Sequence, residues 1–325
     1  MLSNKPSFFN ALSPPSDSSL QDLSQGLLAS GAHCSPKYFY NALGSTLFDA
    51  ITHLPEYYLT RTEAAIFGDH AEAIHGQISA QATWLDLGAG SCEKAARLFE
   101  RTPPGLYVAV DISLTYLTDT LERLQREHPQ VPMMGVGMDF SSALTFPPSL
   151  HAQLLARPVF AFYPGSSLGN FDPVQALGFL QRVATVCNAA KPGSGLLIGI
   201  DLVKDTAVLE RAYADDLGVT AAFNLNVLRH MNTLLGADFD VRDWQHLARF
   251  SVKESRIEMH LQARREVTVS WSGHQRVFQK NETIHTENSY KWTVEKFSKL
   301  LRSAGFAQTQ HWTDQQQQYA VFWAS

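Results

Sequence analysis

The run LDLGAGSCEK, Leu85–Lys94, places two glycines, Gly88 and Gly90, between a short apolar stretch and a helix-like segment. Glycines in that position let the backbone turn tightly and come close to a bound nucleotide. Where a dinucleotide fingerprint has its third glycine, this chain has Glu93. A carboxylate at a helix start repels a pyrophosphate, so the turn suits a nucleoside ligand that brings none. Asp111 ends a second apolar run about 20 residues past Gly90, where a carboxylate accepts from both hydroxyls of a ribose. That feature serves NAD-type and S-adenosylmethionine (SAM) sites alike. Asp139-Phe140, after a third run, fits SAM better, with a carboxylate for the adenine amino group and a ring edge for the base. Taken singly, Asp111 and Asp139 are equally well explained as turn residues at strand ends. Their order on successive strands is what points to SAM.

The elements that must position these residues follow from periodicity. Short apolar runs at 83–87, 106–111, 133–137, 159–164 and 196–201 alternate with helical stretches from Thr83 onward. Continuous apolar runs spaced by helices predict parallel strands buried on both faces, hence a doubly wound α/β sheet. From about 202 to 287 the rhythm changes. A helical part, AVLERAYADDLGVTAAFNLNVLRHMNTLLG, precedes strand-like alternation in IEMHLQARREVTVSW and RVFQKNETIHTE, an α+β insertion. A helix over 293–306 and two strand-like pieces, AQTQHWTD and QYAVFWAS, close the chain as methyltransferase sheets often close. The divisions expected are a flexible tail at 1–18, a SAM-binding domain at 60–201 plus 288–325, and an α+β substrate-binding domain at 19–59 plus 202–287.

Composition bounds the function. The chain has 325 residues, a formal net charge of -5 and no Lys/Arg block, which argues against nucleic acid as a partner. Cys34, Cys92 and Cys187 are widely spaced and form no CxxC, the usage expected of reduced thiols in the cytoplasm. The N-terminus lacks a charged segment followed by a long apolar run, and no stretch is apolar enough to span a bilayer, so neither secretion nor a membrane is expected. His70 and His75 are not at a metal-site spacing and no HExxH occurs, so no metal is expected.

Longer stretches carry a resemblance over nearly the whole chain, from about Leu20. YFYNALGSTLFDAITHLPEYYLTRTEA, LDLGAGSCEK, FYPGSSLGNF, IDLVKD, AYADDLGVTAAFNLNVL, IEMHL and HTENSYKW resemble the histidine-specific Nα-methyltransferases of ergothioneine biosynthesis. The resemblance implies a Rossmann-like class I SAM methyltransferase sheet with a second, α+β domain, and histidine bound in the cleft between them. It implies cofactor contacts at Gly88, Lys94, Asp111, Asp139 and Phe140. Asn170 and Tyr213 resemble the pair that holds the substrate α-carboxylate, and Glu287 and Ser289 the pair that reads the imidazole nitrogens. Tyr57 is implied near the ring, Met259 as an apolar wall of its pocket, and Gly165 with Tyr40 near the α-amine, Tyr40 as the proton relay. Asn41 departs from the family, which has Asp there, and so does Met138, where Gly is common. The implied reaction is trimethylation of L-histidine to hercynine by a cytoplasmic monomer.

The residues themselves are compatible with that chemistry. Methyl transfer from a sulfonium is an in-line displacement that depends on approach geometry. An amine lone pair is the nucleophile, and the neighbouring sulfonium charge lowers the amine's pKa, so no strong base is required. Glu287 can accept from a ring N–H while Ser289 adjusts to the other nitrogen, and residues i and i+2 of a strand project to one face. Without the family, duller roles serve: Tyr40, Tyr57 and Met259 as core, Asn170 as a helix cap, Glu287 as a surface carboxylate. The alternatives are a relative methylating a tryptophan-like amine or adding fewer methyl groups, and a non-catalytic SAM- or amino-acid-binding protein. A dehydrogenase is disfavoured by Glu93 and the closing hairpin.

Overall fold

The structure is a computed structural model that describes residues 5–12 and 17–325. Its strands are β1 (Ser7–Asn10), β2 (Thr83–Leu87), β3 (Leu106–Asp111), β4 (Met133–Gly137), β5 (Val159–Tyr163), β6 (Gly195–Asp201) and β7 (Trp244–Ser251). They continue as β8 (Arg256–Ala263), β9 (Val267–Trp271), β10 (His274–Phe278), β11 (Thr283–Tyr290), β12 (Thr309–Thr313) and β13 (Tyr319–Ala324). The helices are α1 (Asp17–Leu28), α2 (Ala42–Thr52), α3 (Tyr58–Asp69), α4 (Ala71–His75), α5 (Glu93–Phe99) and α6 (Leu114–Glu127). After them come α7 (Pro148–Leu155), α8 (Pro173–Ala189), α9 (Thr206–Ala212), α10 (Val219–Leu235) and α11 (Val294–Ser303). Two compact units divide the chain: Met1–Leu12, Leu59–Val203 and Lys291–Ser325 form the first, Ser13–Tyr58 and Lys204–Tyr290 the second.

The first unit is built on an eight-stranded sheet of order β1-β4-β3-β2-β5-β6-β13-β12. β1 to β6 run parallel, and β13 lies antiparallel to both β6 and β12. Every residue of β2, β5, β6 and β13 is buried, as continuous apolar strands covered on both faces must be. Trp84 anchors the core, its ring centroid 4.5 Å from that of Phe160 and 5.3 Å from that of Phe99. Strand order reverses between β2 and β5, the switch point outside whose carboxyl ends a ligand of an open α/β sheet binds. α8 is held at its start by a capping box, in which Asp172 accepts from the Val174 and Gln175 N–H groups at 2.8 Å.

Residues 7–10 depart from the loose tail expected of 1–18: they add β1 to the sheet edge, in parallel register with β4 from Ser7↔Met134 to Asn10↔Gly137. A Cβ at Gly135 would lie 2.7 Å from the Phe8 ring, so this glycine makes room for the strand. The rest of that expectation falls partly on residues 1–4 and 13–16, which lie outside the described residues.

The second unit holds a three-stranded antiparallel sheet, β11-β8-β7, a hairpin of β9 with β10, and helices α1, α2, α9 and α10. β7 carries no strand signal in the sequence, because WQHLARFS has no clean alternation and is mostly half-buried. Asn41, one of the departures from the family, caps α2 by accepting from Gly44 N–H at 2.8 Å and also accepts from the Asn226 amide at 2.9 Å. The units part at Val203/Lys204 and Tyr290/Lys291, so Ser289 belongs with Glu287 in the second. On the first unit's side of those crossings, Lys291 Nζ and Asp201 Oδ2 form a fully buried ion pair at 2.8 Å.

Candidate active site

In the first unit, β2 delivers Gly88 and β5 delivers Gly165 to the switch point. Gly88 has φ 69° and Gly90 φ 51°, the left-handed backbone that the tight turn requires. Two non-glycine residues adopt it in the same two loops, Cys92 at φ 58° and Ser166 at φ 59°, a strain that concentrates at ligand sites. Gly88 and Ala89 donate to the carbonyl of Val110 at 2.8 and 3.1 Å, which fastens the turn to the end of β3. The Asp111 carboxylate accepts from Gly90 N–H through Oδ2 and from Ser113 N–H through Oδ1, both at 2.9 Å. Each oxygen keeps a lone pair, the complement of a vicinal diol. Burial raises the Asp111 carboxyl above the usual range, against the pull of these N–H groups.

Phe140 lies beside the same turn: a Cβ on Gly88 would sit 3.5 Å from its Cζ. Its ring meets Tyr163 edge-on at 5.9 Å. Asp139 is half-buried and accepts from the N–H of Ser141 at 3.2 Å and from the Ser141 hydroxyl. Glu93 opens α5 exposed, 3.8 Å from Arg97. One carboxylate for the ribose hydroxyls, an aromatic edge and an open glycine together fit an adenosine bearing a sulfonium. Asn170 ends a 3-10 turn, Ser167–Asn170, in the loop after β5, and is half-buried.

Two acids that sequence reasoning missed stand behind this surface. Asp86, in the middle of the LDLG run, accepts the Tyr107 hydroxyl at 2.6 Å. Burial lifts its carboxyl to about 7, with the Tyr107 bond opposing, Asp111 adding to the rise and Lys94 opposing it. Glu63, in the TRTEA segment of α3, accepts from Lys94 Nζ at 2.7 Å. Neither carries a sequence signal, since an acid inside an apolar strand or on a helix announces no partner.

The second unit gathers Tyr40, Tyr57, Tyr213, Met259, Glu287 and Ser289. In the β8–β11 ladder Glu287 faces Met259 and Ser289 faces Ile257, so all four side chains share one face. A bulge between His285 and Glu287 inverts the alternation there, and without it His285 would project to the Glu287 side. Thr286, at the bulge, donates its hydroxyl to the Met259 carbonyl at 3.0 Å. Glu287 is 8% exposed and Ser289 3%. The Tyr213 hydroxyl and Ser289 Oγ are 2.7 Å apart in a hydrogen bond, so the residue expected at the α-carboxylate is tied to one expected at the ring. An aromatic row continues from there, Tyr213 to Tyr57 at 6.3 Å, Tyr57 to Phe48 at 6.4 Å and Phe48 to Tyr40 at 5.9 Å.

Cys34 also lies near Glu287. Burial, then the Glu287 charge, pushes its thiol up to about 12. The opposite face carries a separate charged group: Glu258 accepts from Arg256 at 2.8 Å and Arg249 at 3.0 Å, and the His260 and His285 rings stack at 4.8 Å. Burial works against the Glu258 charge, but the Arg256 and Arg249 bonds prevail and hold its carboxyl at about 2. Asp215 explains part of the AYADDLG stretch by accepting from Val219 and Thr220 N–H at 2.8 and 2.7 Å to start α10. Among the described residues, no group of His, Cys, Asp and Glu is arranged to hold a metal ion, and no helix is long and apolar enough to cross a membrane.

Known proteins match this chain over most of its length. The sequence model of a family described as histidine-specific, SAM-dependent methyltransferase matches residues 19–325. The chain is 38% identical over 300 residues to the histidine N-alpha-methyltransferase of Mycolicibacterium smegmatis, covering 90% of each. Its identity to the protein of the same name from Mycobacterium tuberculosis is 39% over 301 residues, 91% of each. With ergothioneine biosynthesis protein 1 of Neurospora crassa it shares 30% identity over 290 residues, 84% of this chain and 31% of that protein. The switch-point turn and these matches agree, and the chain belongs to the SAM-dependent, histidine-specific methyltransferases.

Proposed function

We propose that the protein moves three methyl groups in succession from SAM to the α-amine of L-histidine, giving hercynine for ergothioneine biosynthesis. The observation that carries the substrate reading is the shared face of Glu287, Ser289 and Met259, in a chain of this family. An acid, a hydroxyl and an apolar wall on one face are what an imidazole needs. Glu287 accepts from one ring N–H, and the Ser289 hydroxyl, which bonds Tyr213 and can both donate and accept, serves the other nitrogen. An indole has one ring nitrogen where an imidazole has two, so it cannot meet Glu287 and Ser289 together, and a buried polar group left unmet costs on the order of 1–3 kcal/mol.

Bound SAM supplies an electrophilic methyl on a sulfonium. Asp111 holds the ribose hydroxyls, Asp139 and Phe140 the adenine, and Lys94 the charged end of the donor. Asn170 and Tyr213 are assigned to the substrate carboxylate, and Gly165 with Tyr40 to the amine. Tyr40 accepts a hydrogen bond from the amine or relays its proton, and no group is required to remove it as a strong base. The Tyr213–Ser289 hydrogen bond gives the carboxylate holder and the ring reader a common geometry. Repeated transfer requires space at the amine for each added methyl group. Cys34, Cys92 and Cys187 are buried outside any disulfide, which supports a reducing cytoplasm as the setting.

The test is to incubate the protein with SAM and L-histidine and follow the amino acid by mass. Three successive methyl increments on histidine are expected. A single increment, or methylation of tryptophan in preference to histidine, would overturn the reading.

A further inference from the structure

Glu63 is buried to 1% exposure on α3, a helix no sequence motif connects with the cofactor. Both of its carboxylate oxygens are engaged. Oε2 accepts from Lys94 Nζ at 2.7 Å, and Oε1 accepts from Gly165 N–H at 2.7 Å and the Tyr319 hydroxyl at 2.8 Å. The carboxylate rests on the backbone of β6, where a Cβ on Gly199 would collide with it and with the Tyr319 hydroxyl. Four segments of the first unit therefore meet on one acid: α3, α5, the loop after β5, and β13. Two of these, α5 and the β5 loop, leave the sheet on either side of the switch point. They also nearly touch, since a Cβ on Gly165 would lie 2.9 Å from Lys94 Nζ.

Stability alone explains such a group poorly. A buried ion pair often does no better for stability than apolar residues of the same shape. Here one partner is not fully buried: the Lys94 side chain is 32% exposed while that of Glu63 is 1% exposed. An ammonium has three N–H donors in a rotatable head, and a fixed buried acceptor sets where the others point. The same acid orders the Gly165 turn at φ 81°, so a single group sets the positions of both loops.

We propose that Glu63 is a positioning residue for the methyl donor, holding the Lys94 ammonium so that it meets the carboxylate of the donor's amino-acid end. This rests on the reading of Lys94 as a donor contact. Glu63 does not touch the reacting atoms. It acts through Lys94, and its effect is confined to ligands that possess an amino-acid end.

The experiment compares S-adenosylhomocysteine with 5′-methylthioadenosine, which has the same nucleoside and thioether sulfur and no amino-acid end. Calorimetric affinities are measured for the wild type, Glu63→Gln, Lys94→Met and the double variant. Lys94→Met is expected to weaken S-adenosylhomocysteine about tenfold and to leave 5′-methylthioadenosine within about twofold. Glu63→Gln is expected to do the same, and the double variant to be no weaker than the weaker single one. Unchanged S-adenosylhomocysteine affinity in Lys94→Met would remove the reading on which the inference rests. A loss in Lys94→Met with none in Glu63→Gln would remove the inference alone, and so would equal losses of both ligands in Glu63→Gln. If Glu63→Gln does not fold, Glu63→Asp retains the charge and draws it back from Lys94. Its expected result is again a loss confined to S-adenosylhomocysteine, and no loss, or a loss for both ligands, rejects the role.

Discussion

At the glycine turn, Gly88, Gly90, Lys94 and Asp111 come from one strand–helix–strand segment, whereas Tyr213, Met259, Glu287 and Ser289 come from three separate segments of the second unit. The turn presents backbone and a carboxylate pinned by two N–H groups. The β8–β11 face presents side chains whose direction depends on a ladder register and a bulge. Recognition of a constant cofactor can be written into one local motif. Recognition of one amino acid among many is, in the proposed site, assembled from tertiary structure, and a slip of one residue in β11 would turn Glu287 and Ser289 away together.

Substitutions in the two regions should therefore fail differently. Asp111→Ala is expected to have the largest effect. It removes the acceptor for Gly90 and Ser113 along with the ribose anchor, and should weaken S-adenosylhomocysteine about 100-fold, ~3 kcal/mol. The calorimetric affinity checks this, and an unchanged value would break the assignment of the turn. Glu287→Ala should lower the ratio of kcat/KM for histidine over tryptophan about 30-fold, ~2 kcal/mol, with S-adenosylhomocysteine affinity within about twofold. Competition kinetics decide it; equal loss of both properties would mean that the two regions are not separable.

A third outcome concerns the far side of the same strands. Burial, then the neighbouring His285, lowers the His260 pKa to about 4, with Glu258 opposing and Arg249 adding to the fall. A histidine kept neutral in the folded state below its unfolded value of 6.5 takes up its proton first on unfolding. Stability is thus lost as the pH falls from 6.5 towards 4, by up to about 1.4 kcal/mol per pH unit from this group. Glu258 acts in the same direction at lower pH, as its carboxyl is held at about 2 against an ordinary 4.5. Denaturant unfolding of His260→Gln across this range should give a flatter profile than the wild type, and a parallel profile would refute the linkage. The smallest effect is expected at the Tyr213–Ser289 contact. Tyr213→Phe and Ser289→Ala should each raise the histidine KM by about 1 kcal/mol, with the pair costing no more than one of them. Fully additive losses would show that the hydrogen bond does not join the two roles.

The same contrast governs how much could be read from the sequence. β2, β3, β4, β5 and β6 were legible because a strand buried on both faces is mostly apolar, and the turn after β2 because its left-handed backbone at Gly88 and Gly90 favours glycine. β1 was hidden, since SFFN sits among Ser, Pro and Asn and the strand is exposed along its length. β7 was hidden by its half-buried, mixed pattern. At the site, Glu–x–Ser spacing implied a shared face, and the ladder shows that face together with Met259. Pairings that cross the chain left no trace. Glu63 is 31 positions from Lys94 and 256 from Tyr319, and nothing in TRTEA marks it as a buried acceptor. Tyr213 reads as an aromatic after a helix, and its bond to Ser289 spans 76 positions.

The central claim is that Glu287 and Ser289 read the imidazole of an amino acid methylated from SAM. The most direct measurement is a crystal structure of the protein with S-adenosylhomocysteine and L-histidine bound. The two ring nitrogens are expected within about 3 Å of the Glu287 carboxylate and the Ser289 hydroxyl. A histidine bound with its ring away from both residues would contradict it.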